Sequence, residues 1–212
     1  MGELIVLAER RADRSRPQRS GRPAFFFDLS CPFSYLAAER VERVLGEVDW
    51  VPTASTMLAK ADDAEHLAAV RSHAETCAVA LRLPLVWPDR FPASTPGALR
   101  AAAHAAEIGA GARFTLAASR LAFCGGFDIE DPEILAEAAA AAGIGLHECL
   151  NAAGDPTRDG ALHATARGLL TQGVTRLPAV RVGTRWFDGD GALAAASAFA
   201  RAGATLERPF AS

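Results

Sequence analysis

Ala24-Phe25-Phe26-Phe27-Asp28-Leu29-Ser30-Cys31-Pro32-Phe33-Ser34-Tyr35-Leu36-Ala37 is the stretch on which the fold turns. Its first half is a short aromatic run that reads as a buried strand. Ser30-Cys31-Pro32-Phe33-Ser34 breaks the run, and Pro32, with no backbone donor to lose, suits the first turn of a helix. From Tyr35 to Gly46, apolar Leu36, Val41, Val44 and Leu45 interleave with charged Glu39, Arg40, Glu42 and Arg43, which predicts one amphipathic helix closed by Gly46. Val48-Asp49-Trp50-Val51-Pro52 alternates as a second strand and ends at its proline. Strand, helix and strand in this order make a right-handed crossover with two parallel strands.

Beyond this unit the period is helical for more than a hundred residues. Helices are predicted over Asp62 to Leu81 with a cap at Asp62 or Asp63, from Ser94-Thr95-Pro96 to Ile108, and over Ala112 to Phe123. Three more are predicted, from Asp131-Pro132 through Ala142, over 145–153 and over 158–171. The period then changes again. Leu177 to Val182 and Arg185 to Phe187 flank Gly183-Thr184 as a hairpin, and Asp188-Gly189-Asp190-Gly191 leads into a last helix over about 191–202. A β-α-β unit, a helical block and a β-β-α unit predict an α/β protein with one four-stranded mixed sheet and a large all-helical insertion.

Composition narrows the function classes. The chain has 212 residues, half of them hydrophobic, and Lys+Arg 22 against Asp+Glu 25 gives a net charge of −3. No basic stripe points to nucleic acid, and no apolar run is long enough to span a membrane. Lys60 is the single lysine, and an arginine- and alanine-rich composition reads as coding bias. In residues 1–22 the short apolar Leu4 to Ala8 precedes its arginines, the reverse of a secretory signal, so the expectation is a cytoplasmic protein with a poorly ordered N-terminal extension. Cys31, Cys77, Cys124 and Cys149 form no C-x-x-C pair, and no Cys/His spacing predicts a metal site. His66 and His73 share a helix face but lack a third ligand by spacing, and the three later cysteines read as small buried hydrophobes.

Four segments, in order, carry a family resemblance. They are Phe26 to Ala37, Phe91-Pro92-Ala93-Ser94-Thr95 with Arg100, Gly126-Phe127-Asp128-Ile129-Glu130-Asp131-Pro132, and Gly173-Val174-Thr175-Arg176-Leu177-Pro178. Together they resemble the DsbA-like thioredoxin family, nearest its 2-hydroxychromene-2-carboxylate isomerase and kappa-class glutathione transferase branch. The resemblance implies a thioredoxin fold built from 23–56 and 172–204, with 57–171 as an inserted helical domain, and a cis bond at Pro178. It also implies glutathione or another low-molecular-weight thiol as cofactor, a small thiol or small aromatic molecule as substrate, and a homodimer. Pro32, Phe33, Leu177, Pro178 and Asp190 are its implied cofactor-binding residues. Ser94, Thr95 and Arg100 are the implied substrate-binding residues, suited to a carboxylate. The chain departs from the pattern at Cys31, where the branch has serine, and at Ser34, where dithiol relatives have a second cysteine. Ser94 and Thr175-Arg176 also differ from the usual residues.

These departures set the chemistry. A thiol reacts as thiolate, and a helix N-terminus favours the anion, so Cys31 is expected to have a lowered pKa. With Ser34 in place of a resolving thiol, Cys31 and Ser34 become the candidate catalytic pair of a monothiol site, the serine hydroxyl hydrogen-bonding the thiolate. Asp188 and Asp190 read either as caps of the final helix or, for Asp190, as a partner for a ligand amino group. Phe33, Tyr35, Trp50, Trp87 and Trp186 read as core or as walls of an aromatic pocket. Three functions remain open at this point: a thiol-dependent oxidoreductase, a glutathione-dependent isomerase or transferase, and a thioredoxin-fold module that binds without catalysis.

Overall fold

The structure is a computed structural model that describes residues 21–58 and 64–206, so nearly all of the predicted N-terminal extension and both proposed caps at Asp62 and Asp63 lie outside the described residues. The elements run β1 (Ala24–Phe27), α1 (Pro32–Ala38), α2 (Val41–Leu45), β2 (Asp49–Pro52), a 3-10 turn (Ser55–Met57) and α3 (Ala64–Leu81). Then follow α4 (Pro96–Glu107), α5 (Gly111–Phe123), α6 (Pro132–Ala142), α7 (Leu146–Ala153), a 3-10 turn (Pro156–Arg158), α8 (Asp159–Thr171), β3 (Ala179–Val182), β4 (Arg185–Asp188) and α9 (Ala192–Leu206).

The sheet order is β2-β1-β3-β4, with β1 parallel to β2 and antiparallel to β3, and β3 antiparallel to β4. This is the thioredoxin arrangement of a four-stranded mixed sheet, with the helices α3 to α8 between β2 and β3. Because successive strand residues point to opposite faces, β1 serves two cores. Phe25 and Phe27 pack with Tyr35, Trp50, Phe114 and Phe123 on one side, whereas Ala24 and Phe26 pack with Leu169, Val174 and Leu177 on the other. All four residues of β1 are buried, as expected of a central strand covered on both faces.

β3 begins at Ala179, two residues after the expected Leu177, and two further differences from the sequence reading have a visible cause. The helix expected over Tyr35–Gly46 is broken into α1 and α2. At the break the Arg40 N–H bonds back to the Ala37 carbonyl at 3.0 Å, a tighter i−3 bond that ends α1, and Arg120 grips the Glu39 carboxylate with two bonds of 2.6 and 2.8 Å. β1 stops at Phe27, short of Leu29, because Asp28 starts a turn. Its Oδ1 accepts from the backbone N–H of Ser30 at 2.8 Å and from the Ser30 hydroxyl at 2.7 Å.

Candidate active site

Cys31 sits at the junction that β1 and α1 create. It is the N-cap residue of α1 in extended conformation, held there by its N–H donating to the Asp28 carbonyl at 3.1 Å. Across from it, Leu177-Pro178 enters β3 through a cis peptide bond. The Cys31 Sγ lies 3.6 Å from the Leu177 carbonyl oxygen, a contact between residues 146 apart in sequence. The predicted pair Cys31 and Ser34 is also brought together. The buried Ser34 accepts the Asp28 N–H at 3.3 Å, and its hydroxyl and backbone N–H both favour the Cys31 thiolate.

The expected lowering of the Cys31 pKa is not what the structure gives. Burial is the largest influence and pushes the thiol above its ordinary 9.0, with the charge of Asp28 adding to it, against the pull of Ser34 and the Phe33 N–H. The apolar cluster of Phe26 and Leu177, against which Cys31 packs, accounts for that burial.

Asp28 is the site residue that sequence reasoning missed. It is 3% exposed, and its second oxygen, Oδ2, accepts the Ser55 N–H at 2.7 Å, while Thr95 Oγ1 lies 3.5 Å from Oδ1. One carboxylate thereby ties the Ser30-Cys31 turn to the segment after β2 and to the start of α4. The available signal was an aspartate inside an apolar strand run with a serine two residues on.

The implied substrate residues separate. Ser94 and Thr95 line a cleft with Asp28, Ser30, Asp159 and His163. Arg100 does not reach it. Its Nε and Nη2 each donate to Asp159 at 2.7 Å and its Nη1 donates to the Ala153 carbonyl at 3.1 Å, so its bidentate edge is already taken by a carboxylate of the chain itself. Both acidic groups at this cleft are already engaged, Asp159 by Arg100 and Asp28 by the turns around it. A second cleft on the other side of Ser30 is lined by Phe91, Phe123, Phe127 and Arg90, with the Arg90–Asp128 ion pair at its edge. The aromatic residues singled out in the sequence lie elsewhere. Trp50 and Tyr35 are buried in the main core, Trp87 packs at a tilt on Phe91 beneath Arg71, and Trp186 packs on Phe26.

Asp188 is not a helix cap: its Oδ2 accepts the backbone N–H groups of Thr175 and Arg176 at 3.0 and 3.2 Å, fixing the loop that carries Leu177. Asp190 pairs with His73 at 2.9 Å, which holds its carboxyl below the usual range. Phe33 packs against the same histidine with ring centroids 5.4 Å apart and the planes tilted by 45°. Cys124 lies 3.2 Å from the Tyr35 hydroxyl and Cys149 is buried. Among the described residues no helix is long and apolar enough to cross a membrane.

Known proteins share this architecture. A 2-hydroxychromene-2-carboxylate isomerase structure superposes with a TM-score of 0.73 at 14% identity, over 88% of this chain and 99% of that one. A probable DsbA oxidoreductase from Streptomyces coelicolor gives 0.68 at 22% identity, over 89% and 91% of the two chains. The cytosolic disulfide reductase DsbM from Pseudomonas aeruginosa, in a structure with GSH, gives 0.63 at 21% identity over 86% and 98%. At these identities the likeness is one of fold. No curated protein matches the sequence significantly. The family model of the DSBA-like thioredoxin domain matches residues 24–199, and the chain belongs to that family.

Proposed function

We propose that the protein is a monothiol oxidoreductase that exchanges Cys31 with small disulfides. The observation that carries this reading is the 3.6 Å approach of the Cys31 Sγ to the Leu177 carbonyl. An extended thiol-bearing ligand that lays its backbone N–H on that carbonyl brings its own sulfur to Cys31. The Cys31 thiolate attacks one sulfur of R–S–S–R, the ligand disulfide breaks, and R–S⁻ leaves with the electron pair. A second small thiolate then attacks the ligand sulfur of the mixed disulfide and returns Cys31 as thiolate, since Ser34 cannot resolve it. Glutathione fits the ligand description, and its presence in the DsbM structure supports the choice.

The raised Cys31 pKa favours a second reading. A thiol that stays protonated at neutral pH is a hydrogen-bond donor, and with the Ser34 hydroxyl it would hold a bound cofactor thiolate, as a glutathione-dependent isomerase or transferase requires. One experiment separates the two. The protein is treated with glutathione disulfide and examined by mass spectrometry, and glutathione binding is measured by calorimetry for wild type and Cys31→Ser. Exchange predicts one adduct on Cys31, released by glutathione. If no adduct forms at Cys31 while Cys31→Ser still binds glutathione, the oxidoreductase reading fails and the isomerase or transferase reading takes its place.

A further inference from the structure

Three side chains from two distant parts of the chain converge beside Phe33. His73 and Cys77 lie one turn apart on α3, so they share a helix face. Asp190 comes from the turn before α9, 117 residues from His73. The His73 Nε2 is 2.9 Å from the Asp190 Oδ2 and 3.8 Å from the Cys77 Sγ, and the three ligand atoms all lie within 4.8 Å of one another. A Cys-His-Asp proton relay needs the sulfur on one ring nitrogen and the carboxylate on the other. Here both meet Nε2, so the arrangement is three donors around one point.

We propose that His73, Cys77 and Asp190 bind one divalent transition-metal ion of the zinc class. Ligand bonds of about 2.0–2.1 Å to nitrogen and oxygen and about 2.3 Å to sulfur place tetrahedral donors roughly 3.4 Å (N to O) and 3.6 Å (N to S) apart. The observed separations of 2.9 and 3.8 Å are close to these, and the Cys77 sulfur and the Asp190 carboxylate, within 4.8 Å of each other, close onto an ion by side-chain rotation. A neutral imidazole, a thiolate and a carboxylate balance a dication, and the nitrogen and sulfur donors select against calcium and magnesium. Binding displaces the Cys77 proton to solvent as the sulfur–metal bond forms. His73 and Asp190 are 52% and 41% exposed, which gives the ion a route in and leaves a fourth position to water. Arg176 is the opposing charge, since it also acts on Asp190. The ion would fasten α3 to the start of α9 independently of the exchange chemistry proposed for Cys31.

The test uses cobalt(II) as a spectroscopic probe on the reduced full-length protein. One equivalent should give a sulfur-to-cobalt charge-transfer band in the near ultraviolet with the visible bands of a tetrahedral ion, and zinc should displace it. The band should be lost in Cys77→Ser and His73→Gln and kept in Cys31→Ser. A second measurement needs no variant: zinc should slow alkylation of Cys77 at least tenfold in the wild-type protein. Absence of the band, its persistence in Cys77→Ser, its loss in Cys31→Ser, or alkylation of Cys77 at an unchanged rate would each overturn the proposal.

Discussion

Loss of solvation outweighs the hydrogen bonds that Ser34 and the Phe33 N–H offer the Cys31 sulfur. The pH dependence follows directly. Below its pKa the thiolate fraction of any thiol rises about tenfold per pH unit, so the Cys31 alkylation rate should still be climbing at pH 9. A midpoint near pH 7 would contradict the burial argument. Ser34→Ala removes a group that favours the anion, so its alkylation profile should shift to still higher pH, while circular dichroism shows an intact fold. Cys31 and Ser34 were legible because both sit in the motif that sets the fold. The direction of the pKa shift was not, because it depends on a cluster that includes Leu169, Val174 and Leu177, which only the tertiary fold brings to Cys31. Asp28 shows the same limit: its partners Ser55 and Thr95 lie far along the chain. Asp28→Ala should cost about 2 kcal/mol in denaturant unfolding, since it removes the acceptor of the part-buried backbone donors of Ser30 and Ser55.

Helix ends carry the element-scale lesson. The periodicity located α3 to α9 well, since amphipathic stripes, Asp131-Pro132 and Gly143 are local signals. The break between α1 and α2 was hidden because it involves Arg120 from α5, eighty-one residues away from Glu39. The end of α3 is also unusual. The Leu83 N–H bonds to the Ala78 carbonyl and the Arg82 N–H to the Val79 carbonyl, both at 3.0 Å, which is the Schellman pattern. The residue in the left-handed position is Arg82, with φ of 57°, where glycine is the usual occupant. Arg82→Gly should therefore stabilise the protein by about 1 kcal/mol. In a domain of this size that is a rise in Tm of roughly 2–4 °C by calorimetry. A fall in Tm would mean that the arginine side chain contributes more than its backbone costs.

For the whole molecule, the order of strands and helices was legible, because a change of hydrophobic period from two to 3.6 and back needs no long-range knowledge. The clefts flanking Ser30 were not, since their walls come from the turn after β1, the region between α3 and α4, the end of α5 and the start of α8. One ion pair across those regions gives a pH prediction. Arg100 holds the Asp159 carboxyl below its ordinary 3.8, so the folded state binds that proton less readily than the unfolded chain. The resulting stability is present above pH 3.8 and is lost as pH falls through the lower native value. Urea unfolding should show this acid loss, and Arg100→Gln should both flatten it and lower the neutral-pH stability by about 2 kcal/mol.

The Leu177 segment is pinned on both sides: Ala179 pairs with Phe26 of the central strand, and Asp188 holds the amides of Thr175 and Arg176. So short a span between two anchors has little slack, and the acceptor opposite the sulfur is pre-organised before any visitor arrives. The entropy lost on docking then falls almost wholly on the guest. Stiff, compact guests should consequently outcompete floppy peptides of equal contact area.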